Sequence, residues 1–93
     1  MEKIIIDGNE FEGYLIPTEN AKLLVIRAKH GMLACGYVKL DTANKLLEHV
    51  AIVTGVKTFD DMLNAEVIAV SDQASATGVK RGMKGRDALL KMT

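Results

Sequence analysis

The segment KLLVIRA, residues 22–28, limits the folds open to this chain more than any other stretch. Its central residues 23–26 are all apolar. A strand with one face in water alternates apolar and polar residues, whereas an unbroken apolar run is typical of a strand covered on both faces. A chain of 93 residues is one small domain with little material to cover both faces of a sheet. The run therefore predicts a homo-oligomer in which a second copy covers one face.

The first 40 residues predict an antiparallel meander of about four strands. In KIIIDGNEFEGYLI, two extended runs flank Asp7-Gly8, a pair that favours the positive φ angles of a tight hairpin turn. Pro17 predicts the end of the second strand, because proline cannot donate to a strand ladder. KLLVIRA and MLACGYV predict the third and fourth strands, joined by a short turn.

From residue 41 onward the spacing of the apolar residues becomes that of helices. Asp41 predicts the N-cap of an amphipathic helix. The apolar stripe of that helix would be Ala43, Leu46, Leu47, Val50 and Ala51. A short extended piece is expected at Ile52 and Val53. Thr58, with Asp61 three residues later, predicts the capping box of a second helix.

The remaining segments predict one strand and two more helices. EVIAV is the predicted strand, SDQASATG a short helix that Ser71 or Asp72 would cap, and GRDALLKM a closing helix.

The predicted architecture is α+β in a single domain over residues 1–93. Residues 1–40 are the β-rich region, where the strand that needs a partner sheet lies, and are expected to mediate oligomerisation. Residues 41–93 are the mixed region of helices and strands. No repeat, low-complexity segment or linker divides the chain.

Charge and composition exclude several classes of protein. Twelve Lys and Arg residues balance 12 Asp and Glu residues, which argues against a surface for nucleic acid or for anionic membranes. No apolar stretch approaches the roughly 20 residues of a membrane span, and the apolar run near the N-terminus is too short for a signal peptide. One cysteine cannot form a disulfide within the chain. These features predict a cytoplasmic protein without a nucleic-acid or membrane partner.

The single cysteine, Cys35, has two interpretations. On the predicted strand it shares a face with Leu33 and Tyr37, and free cysteine usually behaves as a small buried apolar residue. The alternative is a reactive thiol beside Gly36, with His30 as its partner, in thiol or acyl chemistry at a subunit interface. The distance from Cys35 to His30 cannot be derived from the sequence, and the buried interpretation is favoured.

No metal site or cofactor is predicted. A structural zinc site needs about four nitrogen or sulfur ligands, usually in close pairs. Cys35, His30 and His49 supply three, without the usual spacing. His49 lies in the predicted first helix, away from its apolar stripe, and is expected to be solvated. The glycine patterns of dinucleotide and Walker A loops are also missing.

The closing segment GVKRGMKGRD combines glycines with positive charge. Residues 78–93 hold five basic residues against Asp87 alone, a net charge of +4, which leaves −4 on the rest of the chain. The favoured interpretation is a pair of tight turns that lead into a helix. Glycine-rich turns before a helix also present backbone N–H groups to anions. Gly82, Gly85 and Arg86 are therefore the candidate residues for a small anionic ligand.

Four segments in succession resemble the YunC-like family of small bacterial and archaeal proteins. They are IIIDG, GMLACGY, GVKTFDDMLNA and GVKRGMKGRDAL, which together extend over nearly the whole chain. The resemblance implies an α+β fold whose N-terminal sheet region mediates the formation of a tetramer. It implies no activity, because the family is one of unknown function, and it supplies no catalytic residues.

The sequence thus favours a non-enzymatic cytoplasmic homo-oligomer that binds a small anionic ligand at Gly82, Gly85 and Arg86. The alternative is a small enzyme that uses Cys35, with His30. That alternative requires Cys35 to be accessible to solvent and next to a cation or a histidine. A third interpretation, a scaffold for another protein, requires an exposed apolar patch outside the contact between subunits.

Overall fold

Six strands form one mixed sheet, and their order across the sheet is their order along the chain. The computed structural model describes residues 1–93. The strands are Glu2–Ile6 (β1), Asn9–Pro17 (β2), Lys22–Ala28 (β3), Gly31–Ala34 (β4), Val50–Ile52 (β5) and Ala69–Val70 (β6). The helices are Leu40–Lys45 (α1), Phe59–Asn64 (α2), Asp72–Ala76 (α3) and Gly85–Leu90 (α4). None of these helices has the length and apolar character needed to cross a membrane.

The predicted meander is confirmed by the first four strands, which pair antiparallel with their neighbours. Asp7 and Gly8 form the β1–β2 turn with φ angles of 50° and 81°, and a type I′ hairpin loop requires positive φ at both positions. Pro17 is the last residue of β2, as predicted. The α+β class is also confirmed, because four helices and two further strands follow β4.

One face of the sheet carries the main core, where α2 and α4 pack. Leu24 and Ile26 of β3 are fully buried on this face, together with Leu33 of β4. Met62 of α2 and Leu89 of α4 cover them from the helix side, also with no exposed surface. The chain itself therefore closes the core face over the centre of β3 and β4.

The predicted cap residues lie where two of the helices begin. Thr58 precedes α2, and its Oγ1 accepts a hydrogen bond from the Asp61 N–H at 3.0 Å. The Asp61 carboxylate accepts from the Lys57 N–H, also at 3.0 Å. Ser71 precedes α3, and its Oγ accepts from the Ala74 N–H at 3.3 Å. These contacts join residues close in sequence, so the local pattern is enough to place both helix starts.

The prediction of a long first helix over residues 43–51 is wrong. The α1 helix ends at Lys45, and Leu47 has a φ of 56°, a left-handed conformation that stops the helix, with a side chain 68% exposed. Val50 and Ala51 belong instead to β5, which runs parallel to β4, and both are fully buried. A central place in the sheet buries both residues completely, which favours the strand over a marginal helix.

The opposite face of the sheet is covered only in part. The α1 helix packs over β4 and β5, where a second and smaller cluster contains Ala34, Ala43, Val50 and Ile52. The α1 helix does not extend over β1 and β2, so this part of the face is left uncovered.

We call the uncovered area on this side, formed by Ile5, Tyr14, Ile16 and the half-buried Val25, the open face. Ile5 is 65% exposed, Ile16 56% and Tyr14 37%. The strand register places Tyr14 directly opposite Val25. The chain therefore buries Leu24 and Ile26 on one face of KLLVIRA and leaves the other face partly in water.

Candidate functional site

A large cleft lies at one end of β4 and has a volume of about 760 Å³. Three loops line it: the β2–β3 loop, the turn after β4 and the loop after β5. The lining residues are 17–22, 35–37 and 54–57. The volume falls in the roughly 300 to 1,000 Å³ range of sites for small molecules. We call it the Cys35 cleft.

Cys35 is a nearly buried lining residue of this cleft, with 5% of its surface exposed. Its Sγ accepts a hydrogen bond from the Leu24 N–H at 3.3 Å, and its own N–H donates to the Leu24 carbonyl at 3.1 Å. Cys35 packs in the same core cluster as Leu33, as predicted. Tyr37 does not share this face: β4 ends at Ala34, the chain turns, and the Tyr37 side chain is 54% exposed.

Several backbone N–H groups on two loops of the cleft have no acceptor in the protein. The N–H groups of Gly36, Tyr37, Thr54, Gly55 and Val56 donate no hydrogen bond to any protein atom. All five residues line the cleft. Backbone N–H groups are obligatory donors, so these five are available to water or to a ligand.

The two loops that carry these amides lie side by side because their strands are neighbours. The Val53 N–H donates to the Ala34 carbonyl at 2.9 Å, which continues the β4–β5 pairing up to the cleft. A Cβ built on Gly36 would lie 3.4 Å from the Thr54 methyl group. The amides of both loops therefore belong to one small region.

Side chains add a positive rim and a polar link to the cleft. Lys22 and Lys57 line it, and neither forms an ion pair within the protein; Glu19 is the single carboxylate among the lining residues. The hydroxyl groups of Thr18 and Tyr37 form a hydrogen bond at 3.0 Å, which ties the β2–β3 loop to the turn after β4.

His30 lies far from Cys35. They lie at the two ends of β4, five positions apart in the sequence, which corresponds to roughly 16 Å of extended chain. His30 lines a second cleft, of about 350 Å³, at the opposite end of the strand. Its N–H donates to the Met92 carbonyl at 2.8 Å. The structure therefore does not bring together the two candidate catalytic residues.

The second cleft is also lined by His49, for which the sequence predicts a solvated position on a helix. That expectation is wrong, because α1 ends at Lys45 and His49 directly precedes β5 and is half-buried. Parallel strands β4 and β5 begin at the same end of the sheet, so His30 and His49, which precede them, line the same cleft. A βαβ connection between the two apolar runs was the signal that could have predicted this. No group of three or more His, Cys, Asp or Glu residues lies close enough to hold a metal ion.

The glycine-rich closing segment uses its amides within the protein. The Gly82 N–H donates to the Val67 carbonyl at 2.8 Å, and the Gly85 N–H donates to the Ala65 carbonyl at 2.9 Å. The Arg86 guanidinium lies 3.8 Å from the Asp7 carboxylate. Anion binding at Gly82, Gly85 and Arg86 stays a prediction, but both glycine amides on which it depends already have partners.

The open sheet face and the ligand-sized cleft define a small α+β protein with one surface suited to association and one suited to a small molecule. Residues 34–92 match the family described as a domain of unknown function, DUF1805, and the chain belongs to this family. It is 33% identical over 93 residues to the uncharacterized protein YunC of Bacillus subtilis (strain 168), with 96% of this chain and 92% of YunC covered.

A solved structure supports the same relationship. The crystal structure of TA1206, a protein of unknown function from Thermoplasma acidophilum, matches with a TM-score of 0.94 and 35% sequence identity. The match covers 99% of this chain and 90% of that one. The resemblance to YunC-like proteins is therefore confirmed. None of these descriptions assigns an activity.

Proposed function

We propose that the protein is a non-enzymatic homo-oligomer in which the open face is the contact between subunits. The observation that carries this proposal is the exposure of Tyr14 and Ile16 at successive positions on one face of β2, and of Ile5 on the same face nearer the β1–β2 turn, where α1 leaves the sheet uncovered. Burying an exposed apolar side chain of this size contributes about 1.5 to 3 kcal/mol. A second copy of the chain can cover this face, because each copy exposes the same apolar side chains and each gains from their burial.

A tetramer is the assembly that the YunC-like resemblance implies. The open face also carries a charged pair, Arg27 and Glu12, whose nearest atoms are 3.4 Å apart and which remain partly exposed. In a two-fold contact the same patch occurs on both sides, so Arg27 and Glu12 of both copies would lie at the contact. We place the assembly in the cytoplasm, where a single cysteine without a disulfide partner stays reduced.

Replacing Ile16 with glutamate is expected to shift the protein to a smaller assembly. The substitution puts a charge on the open face, where burial between copies would remove its water. Light scattering at micromolar concentration should give a wild-type mass that is a multiple of 10.1 kDa, and a lower mass for the variant. Leu46→Glu is the matched control, because Leu46 is 65% exposed but lies outside the open face. A wild-type mass of one chain would refute the proposal.

An enzyme is the second candidate function, because Cys35 lines a cleft of the size that small molecules occupy. Such an enzyme would have to use the Cys35 thiol without His30, since the two residues line different clefts. The binding interpretation is better supported, because the thiol is almost fully buried and its sulfur already accepts a hydrogen bond.

Native Cys35 is expected to react slowly with a maleimide reagent and quickly in denaturant. Its 5% exposure limits the approach of the reagent, so labelling should depend on opening of the structure. The measurement is labelling rate by mass spectrometry, with His30→Ala as a control that should leave the rate unchanged. Rapid labelling of the native protein would contradict the buried interpretation of Cys35 and favour the enzyme.

A further inference from the structure

We propose that the Cys35 cleft binds a small organic oxyanion, a carboxylate or a phosphate ester, through backbone amides of two loops. The proposal goes beyond self-association and gives the protein a second property at a site distinct from the open face. It stands on three features of the cleft: its free amide donors, its positive rim and its size.

The amides supply the recognition chemistry. Gly36 and Tyr37 on one loop, and Thr54, Gly55 and Val56 on the other, carry N–H groups that no protein atom accepts from. Adjacent loop amides of this kind form concave sites that bind anionic oxygens. Charge-assisted hydrogen bonds to an oxyanion are about twice as strong as neutral ones.

Glycine keeps the amides of these loops open to close approach. Gly55 has a φ of 70°, a left-handed conformation, and a Cβ placed there would have no heavy atom within 4 Å. The space around it is therefore open and not filled by packing. This contrasts with Gly85, whose missing side chain makes room for neighbouring protein atoms.

The charges around the cleft favour an anion. Lys22 and Lys57 are free of ion pairs, whereas Glu19 is the only acidic lining residue. The two ammonium groups attract an oxyanion towards the amides.

The rest of the cleft fits an uncharged body attached to that oxyanion. Pro17, Val56 and the exposed ring of Tyr37 provide apolar surface near the polar groups. A volume of about 760 Å³ exceeds what inorganic phosphate alone requires. The ligand is therefore expected to be a small metabolite with one anionic group and an apolar or hydroxylated body.

The test is a titration of the full-length, ¹⁵N-labelled protein with inorganic phosphate, followed by amide chemical shifts at constant ionic strength. The amides of Gly36, Tyr37, Thr54, Gly55 and Val56 are expected to shift together and to saturate with one dissociation constant. Chloride at the same ionic strength should leave them in place.

Two pairs of substitutions separate this site from the closing segment. Lys22→Ala with Lys57→Ala is expected to weaken phosphate binding by about tenfold, from the loss of two surface charges. Lys84→Ala with Arg86→Ala removes the same charge elsewhere and should leave the affinity unchanged. Each pair alters only exposed side chains, so both variants should fold.

Two results would overturn the inference. One is a titration in which none of the five cleft amides shows a saturable shift. The other is a set of shifts centred on Gly82, Gly85 and Arg86 that the second pair abolishes, which would place the anion at the closing segment. Both results are independent of the light-scattering mass, which tests self-association through the open face.

Discussion

Replacing Gly85 with alanine is expected to lower the free energy of unfolding by about 3 kcal/mol, the upper end of the usual cost of overpacking. A Cβ on Gly85 would collide with the Met62 carbonyl oxygen of α2 and would lie 2.8 Å from Cδ2 of Leu33. The first neighbour is backbone and cannot rotate away. Relief requires α4 to move from α2, which would also stretch the hydrogen bond from the Gly85 N–H to the Ala65 carbonyl.

Gly82→Ala is the matched control for this prediction. Gly82 has a φ of 92°, but a Cβ there would meet no heavy atom within 4 Å. Its cost is therefore conformational, about 1 to 2 kcal/mol. Urea unfolding followed by circular dichroism compares the two variants. Equal stabilities for Gly85→Ala and wild type would show that the closing segment is not held against α2 as described.

Replacing Ser71 with alanine is expected to cost about 2 to 3 kcal/mol of stability, through loss of a helix cap and an unsatisfied buried N–H. Ser71 is fully buried. Its Oγ donates to the Glu48 carbonyl at 2.7 Å, and accepts from the Val50 N–H at 2.9 Å and from the Ala74 N–H at 3.3 Å. One hydroxyl therefore joins the start of α3 to the start of β5, and alanine would leave the Val50 N–H without this acceptor.

Thr58→Ala provides the comparison for Ser71, because Thr58 is an exposed cap with one hydrogen bond, to the Asp61 N–H. Its removal should cost only about 1 kcal/mol. The measurement is again urea unfolding, with the slope checked to be the same in both variants. If the two substitutions cost the same, Ser71 acts as an ordinary cap and its contacts with β5 contribute nothing further.

Local signals in the sequence were enough to predict the hairpin and the starts of α2 and α3, although Asp41, the predicted cap of the first helix, lies inside the first turn of α1. Asp7 and Gly8 determine their turn through their own φ angles. Thr58 and Ser71 act on N–H groups three residues away, at Asp61 and Ala74. These interactions are complete within a few residues, so the wider fold does not change them.

The prediction failed where a segment fitted two structures locally. Residues 43–51 have the apolar spacing of a helix, but Val50 and Ala51 pair with β4, a strand well separated from them in the sequence. Pairing with a distant strand favours the strand over the helix for these two residues. The spacing of apolar residues within the segment carries no information about that pairing. Because His49 was assigned to the same helix, the sequence did not predict that His30 and His49 line one cleft.

The Cys35 cleft was beyond sequence analysis for a different reason. Its lining comes from three loops, residues 17–22, 35–37 and 54–57. The strand order brings these loops together at one end of neighbouring strands. Its free donors are backbone N–H groups, which occur in every residue except proline and leave no mark in the residue types. The closing glycines carried a visible motif, yet their amides bond within the protein.

The order of the strands affects how the chain folds as the ribosome releases it. Strands β1 to β4 emerge in the order in which they pair, so their hairpins can form during synthesis. Leu89 of α4 and Met92 complete the core only after all six strands have been made. Until they dock, the core face of the nascent sheet is covered only by α2 and keeps part of its apolar surface in water. The interval between the emergence of β6 and that of α4 is therefore when a newly made chain is most exposed to aggregation.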